Sequence, residues 1–203
     1  MKEPWQKMFF ESFYSTLRKE AESLRNICEH DCFRNAMFAG MKYEDIDYPN
    51  MFEKEGFRYA RYNAIALMSE ETLAYFGLSS FIFELEDYPL TAKWNYPYPH
   101  NTELKAAFGL VDRDGELDSL IEFKKWTSND CKEIKQSIDK YKLCDSDCNK
   151  YLCVVQLPGG DIEENIEHLL RENPELEVLH KNSFESWLNN VNVLVHLYML
   201  KIN

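Results

Sequence analysis

The sequence predicts an α/β domain: a mixed central sheet with helices on both sides and a helical stretch in front of it. Three observations carry this reading. Apolar residues recur at three- and four-residue steps near the N-terminus, two apolar runs meet at a turn dipeptide in the middle, and an unbroken apolar run follows between two amphipathic segments. The chain has 203 residues, of which 45% are hydrophobic and 14% aromatic, enough to bury a substantial core. Seven glycines and seven prolines exclude collagen-like and low-complexity architectures.

Within residues 4–40, Trp5, Met8, Phe9, Phe13, Leu17, Ala21 and Leu24 form one face of a helix. Residues 1–56 read as an N-terminal helical extension and 57–203 as the α/β domain. At the end of the extension, 41–56 is an acidic connection in which Pro49 breaks any helix. A second helix is predicted over 57–76, its inward stripe formed by Ala60, Ala64, Leu67, Glu71 and Ala74, with Gly77 as the stop. SSFIFELEDY then reads as the first strand, with Phe81, Phe83 and Leu85 on one face and Ile82, Glu84 and Glu86 on the other. The proline-rich PLTAKWNYPYPHN reads as a loop. Asp114-Gly115 is a hairpin signal flanked by apolar runs, so two antiparallel strands are predicted around it. A helix is expected over 130–142. YLCVVQLP has the apolar continuity of a strand buried on both faces. Residues 161–172 follow as a helix capped by Asp161, then ELEVLH as a short strand. The closing VNVLVHLYMLKI is rich in β-branched residues and is compatible with strand or helix.

The balance of 23 basic against 35 acidic side chains gives a net charge of −12, which argues against a surface basic all over and made for nucleic acid. Charges recur through the first residues, unlike a signal peptide, and no run of ~18 apolar residues is present. The reading is a cytoplasmic chain that does not enter a membrane. In that compartment Cys28, Cys32, Cys131, Cys144, Cys148 and Cys153 are free thiols by default. Their spacing lacks the short hooks of zinc and iron–sulfur sites.

The chemistry concentrates in SLIEFKKW. On a strand, Glu122 and Lys124 emerge on one face ~7 Å apart, while Ile121 and Phe123 point the other way. A carboxylate and an ammonium on a strand this apolar are costly unless they pair or work. The carboxylate can hold Mg²⁺ or Mn²⁺, and the ammonium can orient an attacking water.

This segment resembles the core of the PD-(D/E)XK, or restriction-endonuclease-like, nucleases: a helix, a three-strand meander whose third strand carries (D/E)-x-K, a helix and a further strand. Here E-F-K falls at 122–124, EIKQSIDKYK follows as the helix, and YLCVVQL follows as the strand. The resemblance spans about 57–180 and implies a three-layer core. It implies metal-dependent phosphodiester hydrolysis, with Glu122 as metal ligand, Lys124 as the water-orienting group and nucleic acid, DNA before RNA, as substrate.

The same resemblance requires an aspartate on the second strand facing Glu122. With a two-residue turn at Asp114-Gly115, the facing residue is Ala107; a shift by one places Ala106 or Phe108 there. None is a carboxylate, so little or no cleavage is expected. Ala107 stands there either as an introduced replacement of the metal acid, or as the mark of a natural pseudo-nuclease, or the resemblance is fortuitous. Asp112 lies ~16 Å away along the strand in this register and substitutes only with a different turn. Glu71, on the preceding helix, is a further candidate ligand, with an ordinary ion pair as its other explanation.

Segment 124–143 holds six lysines against three acids. Lys125, Lys132 and Lys135 are candidates for phosphate contacts, or else charges paired along a solvated helix. The alternative function is a non-catalytic acidic interaction module: an inhibitor, an immunity protein, or a subunit of a defence or nucleic-acid complex, joined to a protein partner or a second copy. Tyr43, Tyr48, Trp94, Tyr96 and Tyr98 are its candidate contact aromatics. A pocket shared by Ala107, Glu122 and Lys124 would favour the first reading.

Overall fold

A computed structural model of the chain describes residues 4–28, 68–82, 84–99, 101–126, 131–144, 146–157, 162–188 and 191–203. Helix α1 (Trp5–Cys28) buries Trp5, Phe9, Phe13, Leu17 and Ala21, the stripe that its periodicity predicts. The first turn is closed by the Pro4 carbonyl, which accepts from the Lys7 amide at 3.1 Å. Residues 29–67 lie outside the described residues, and with them the connection at 41–56, most of the helix predicted over 57–76, Cys32, Tyr43 and Tyr48.

Helix α2 (Glu70–Phe81) starts and ends later than predicted. Ser69 is its extended N-cap, the hydroxyl accepting from the Thr72 amide at 3.2 Å, and Glu70 and Glu71 sit at the positive end of the helix dipole. Gly77 is not a stop. It lies inside the helix because Phe123 presses against it: a Cβ there would meet Phe123 Cζ at 2.5 Å. The first strand predicted at SSFIFELEDY does not form: its described residues are helix up to Phe81 and a 3₁₀ turn over Glu84–Asp87. The Ser79 and Ser80 hydroxyls bond back to the carbonyls of Phe76 and Gly77, at 3.3 and 2.9 Å, and the helix runs on to Phe81. Glu84–Asp87 then form a 3₁₀ turn.

The first strand comes from the segment read as a loop. Strand β1 (Leu90–Trp94) pairs antiparallel with β4 (Phe108–Asp112), from Leu90↔Asp112 to Trp94↔Phe108. Pro89 and Pro97 flank it without interrupting it, and at the sheet edge a strand needs partners on one side alone. Between them a small ribbon forms from β2 (Pro97–Tyr98) and β3 (Asn101–Lys105).

Strand β4 meets β5 (Leu117–Trp126) in the predicted hairpin. The turn holds three residues rather than two, with Gly115 at φ 87° and the Asp112 amide donating to Glu116 O at 2.9 Å. A bulge beside Leu110 and Val111 removes the resulting one-residue offset, so Phe108↔Ile121 stands in the predicted register. Helix α3 (Lys132–Lys142) leads to β6 (Asn149–Gln156), which lies parallel to β5. After α4 (Ile162–Glu172), the chain ends in a long hairpin. The short strand predicted at ELEVLH extends through SFESWL as β7 (Leu176–Leu188), and the terminal segment is strand β8 (Val191–Ile202). The six-strand mixed sheet has the order β1-β4-β5-β6-β8-β7.

Alternation along the central strands splits the core in two. Phe108, Ile121, Phe123, Tyr151, Cys153 and Val155 join α1 and α2 on one face. Leu120, Leu152, Val154, Tyr198 and Leu200 join Ile134, Ile138 and Tyr141 of α3 and Leu169 of α4 on the other. The protein is thus α/β, with helices on both faces of the sheet. Phe9 of α1 meets Phe13, Phe81, Phe108 and Phe123 at ring distances of 5.4–6.3 Å. The helix read as part of an extension therefore contributes to the same core as the sheet.

Candidate functional site

The ladder between β4 and β5 ends at Phe108↔Ile121, while β5 runs on to Trp126. The parting of the two strands opens a pocket at one end of the sheet. It is lined by Glu70 and Glu71 of α2, Trp94 of β1, Ala106 and Ala107 before β4, Glu122 and Lys124 of β5, and Lys105 and Lys140. The N-terminus of α2 supplies what the departed strand does not: Glu70 Oε2 accepts from Lys124 Nζ at 2.6 Å, and its Oε1 accepts from the Lys125 amide at 3.4 Å.

Glu122 shares a face with Leu120, toward α3, and is 5% exposed. Burying a carboxylate this deeply demands donors. Oε1 accepts from Lys140 Nζ at 2.6 Å and from the Tyr98 hydroxyl, and Oε2 accepts from Ser137 Oγ at 3.3 Å. Lys140 comes from α3 one turn after Ser137, so both reach the same strand. Its Nζ also donates to the Lys105 carbonyl at 2.8 Å and stands 5.0 Å from the Tyr98 ring centroid. Tyr98 stacks on Tyr141 at 5.5 Å. Burial, then the Glu122 charge, holds both phenols far above the ordinary tyrosine range, so they act as donors and not as bases.

The structure brings Ala107, Glu122 and Lys124 around this one pocket. Glu122 and Lys124 nevertheless take different partners, Lys140 and Glu70. Ala107 lies at a bend just outside the ladder and packs toward the α1–α2 cluster, whereas Ala106, 1% exposed, lies in the cluster beside Tyr98 and Leu120. Glu71 lines the pocket as an exposed side chain. Its carboxyl is held below the usual range by the Ser69 hydroxyl, by its backbone hydrogen bond and, less, by the Lys124 charge. Glu70, next to it, is the acid that reaches β5, while Ala74 of the predicted stripe is buried.

Asp112 is not part of the pocket. It closes the hairpin turn, its Oδ1 accepting from the amides of Asp114 and Glu116, both at 2.9 Å. The lysine cluster is largely neutralised. Lys124 and Lys140 are tied as described, Lys135 pairs with Glu172 at 2.5 Å, and Lys142 pairs with Glu175 at 2.8 Å. Lys132 is exposed and Lys125 half-buried. Tyr98, read as an exposed contact aromatic, is buried against Glu122; Trp94 is 48% exposed at the pocket rim. Glu70 and Ser137 are not among the sequence candidates, and Tyr98 and Lys140 are read there as a contact aromatic and one of the six lysines rather than as partners of Glu122. The spacing of Ser137 and Lys140, on one helix face, was the signal for that pair.

Mg²⁺ or Mn²⁺ does not fit this arrangement. A hard cation needs several anionic oxygens converging on it. Here Glu122 and Glu70 accept from ammonium groups, positions 106 and 107 carry methyl groups, and the Ala107 carbonyl accepts from the Asn95 amide at 2.7 Å. Among the described residues no three His, Cys, Asp or Glu side chains are grouped to hold a metal ion. Cys131, Cys144, Cys148 and Cys153 are free thiols, and burial raises the Cys153 thiol well above its ordinary range. No described helix is long and apolar enough to cross a membrane. Compared with protein families, curated proteins and solved structures, the chain matches none.

Proposed function

We propose that this chain is a nuclease-like domain of the PD-(D/E)XK type that keeps the layout of a phosphodiesterase site and lacks its cutting chemistry. One observation carries the reading: Ala107, Glu122 and Lys124 surround a single pocket where β4 parts from β5, with acids from the helix before the sheet on its far wall. An aspartate at 107 or 106 would add the second carboxylate that a divalent metal requires beside Glu122, and Lys124 would stand near an attacking water. Without that acid the chain does not hydrolyse nucleic acid. The substrate class is a nucleic-acid strand, DNA before RNA, with exposed Trp94 at the rim able to stack on a base.

The test is cleavage of plasmid, single-stranded DNA and RNA with Mg²⁺ or Mn²⁺ by the chain, by Ala107→Asp and by Ala106→Asp, each with and without Glu122→Ala. Cutting gained by an aspartate form and lost with Glu122 supports the proposal. Cutting by the chain as it stands contradicts it. The second reading, an acidic module that docks on a protein partner or a second copy, is favoured by the net charge of −12 and by Trp94, 48% exposed. It gains if no form cuts even when Lys140→Met is added to the aspartate forms.

A further inference from the structure

We propose that Lys140 is a built-in replacement for a metal ion: its ammonium closes a latent divalent-cation site formed around Glu122. This rests on the nuclease-like layout proposed above and adds the reason why the pocket is complete without metal.

Lys140 Nζ takes two oxygen partners of the kind that a hard cation also uses, though fewer than a cation needs. It is bonded to a carboxylate oxygen of β5 at 2.6 Å and to a main-chain carbonyl oxygen at the end of β3 at 2.8 Å. The Tyr98 ring presents its negative face at 5.0 Å. Oxygens from separate elements thus converge on one positive centre, in a pocket where Glu122 is 5% exposed and would otherwise be an uncompensated buried charge.

Charge matching explains why the centre is an ammonium. Two carboxylates, Glu122 and an acid at 107, balance a divalent ion. With alanine there, Glu122 alone balances a single positive charge, and Lys140 supplies it. Ala107 and Lys140 are therefore coupled. An added acid leaves an unmatched negative charge while Lys140 stays, and removal of Lys140 leaves Glu122 unmatched. Both changes together would put two carboxylates into the lining of the one pocket that Lys140 now shares with Glu122 and Ala107. Lys124 is held apart by Glu70 and is not displaced by this exchange.

The experiment is Mn²⁺ binding, by isothermal titration and by loss of the free-ion electron-spin-resonance signal. The proteins compared are the unaltered chain, Ala107→Asp, Lys140→Met, the double variant and the double variant with Glu122→Gln. Lys140→Gln is made alongside in case the methionine form misfolds. The double variant is expected to take up one Mn²⁺ at least tenfold more tightly than Ala107→Asp alone, and Glu122→Gln to abolish it. In the unaltered chain the Lys140 ammonium signal in nitrogen-15 spectra should be protected from solvent exchange, unmoved by millimolar Mn²⁺, and lost on Glu122→Gln. Equal affinity of Ala107→Asp and the double variant would overturn the proposal, as would Mn²⁺ uptake by the unaltered chain that depends on Glu122. A double variant that binds Mn²⁺ without cutting any nucleic acid refutes the nuclease reading and leaves the role of Lys140 standing.

Discussion

Replacing Glu122 by alanine should destabilise the protein by about 2–4 kcal/mol. The buried Tyr98 hydroxyl loses its acceptor, which by itself costs about 1–3 kcal/mol. Breaking a buried ion pair costs about 3–5 kcal/mol when the surviving charge stays buried. Here the Lys140 side chain keeps 28% exposure and the Lys105 carbonyl, so it can turn toward water and only part of that figure applies. The double variant Glu122→Leu with Lys140→Met removes both charges and fills the space. It should lie within about 1 kcal/mol of the unaltered chain. Adding Tyr98→Phe to Glu122→Ala should recover about 1 kcal/mol by removing the orphaned hydroxyl. Urea unfolding followed by fluorescence and circular dichroism measures the three variants beside the unaltered chain, with a constant denaturant slope as the check on two-state behaviour. A Glu122→Ala form within about 0.5 kcal/mol of the unaltered protein would refute the reasoning. So would a double variant as unstable as the single one.

Gly77→Ala should destabilise by about 1–3 kcal/mol, because the new methyl meets Phe123 Cζ at 2.5 Å and Cε1 at 2.8 Å. In an unobstructed helix the same change stabilises by about 1 kcal/mol, so the sign of a thermal shift decides whether the close approach is real. Glu70→Ala should cost about 1–2 kcal/mol through Lys124 and the Lys125 amide, and Glu71→Ala less than about 0.5, both read from urea midpoints. The reverse order would show the helix phase to be wrong. Burial raises the hydroxyl pKa values of Tyr98, Tyr141 and Tyr151 in the folded state. Their contribution to stability is therefore complete below the unfolded value of about 10 and is lost as pH rises above it. An ultraviolet absorbance titration should show these phenols ionising with the unfolding transition and not before it.

The centre of the sheet was legible because its pattern is unambiguous. The alternation around Asp114-Gly115 and the apolar run YLCVVQL each admit one reading, and both strands form where expected. The hairpin register was reached although the turn is longer than assumed, since the bulge beside Val111 compensates for the extra residue. The first strand was misplaced because tertiary contacts decide it. Phe81 alternates as a strand would, yet as the last helical residue its ring is buried against Trp5 and Phe9 of α1, and the edge position of β1 tolerates the prolines that argued for a loop. Of the site, Glu122 and Lys124 could be named because charged residues stand out on an apolar strand. Their partners could not. Tyr98 and Glu70 reach them only through the path of β2 and the exact start of α2, which no periodicity encodes. Position 107 was located by counting along the hairpin, but the bend that turns Ala107 and Ala106 toward different core clusters is visible only in three dimensions.

The central claim is that this pocket is a phosphodiesterase site short of one acid and closed by one lysine. Its most direct test is nicking of supercoiled plasmid in Mg²⁺ by the Ala107→Asp, Lys140→Met double variant beside the unaltered chain. The account predicts no nicking by the chain itself and metal-dependent nicking by the double variant, abolished by Glu122→Gln and strongly reduced by Lys124→Ala. Nicking by the unaltered chain, or a folded, metal-loaded double variant that leaves the plasmid intact, would contradict it.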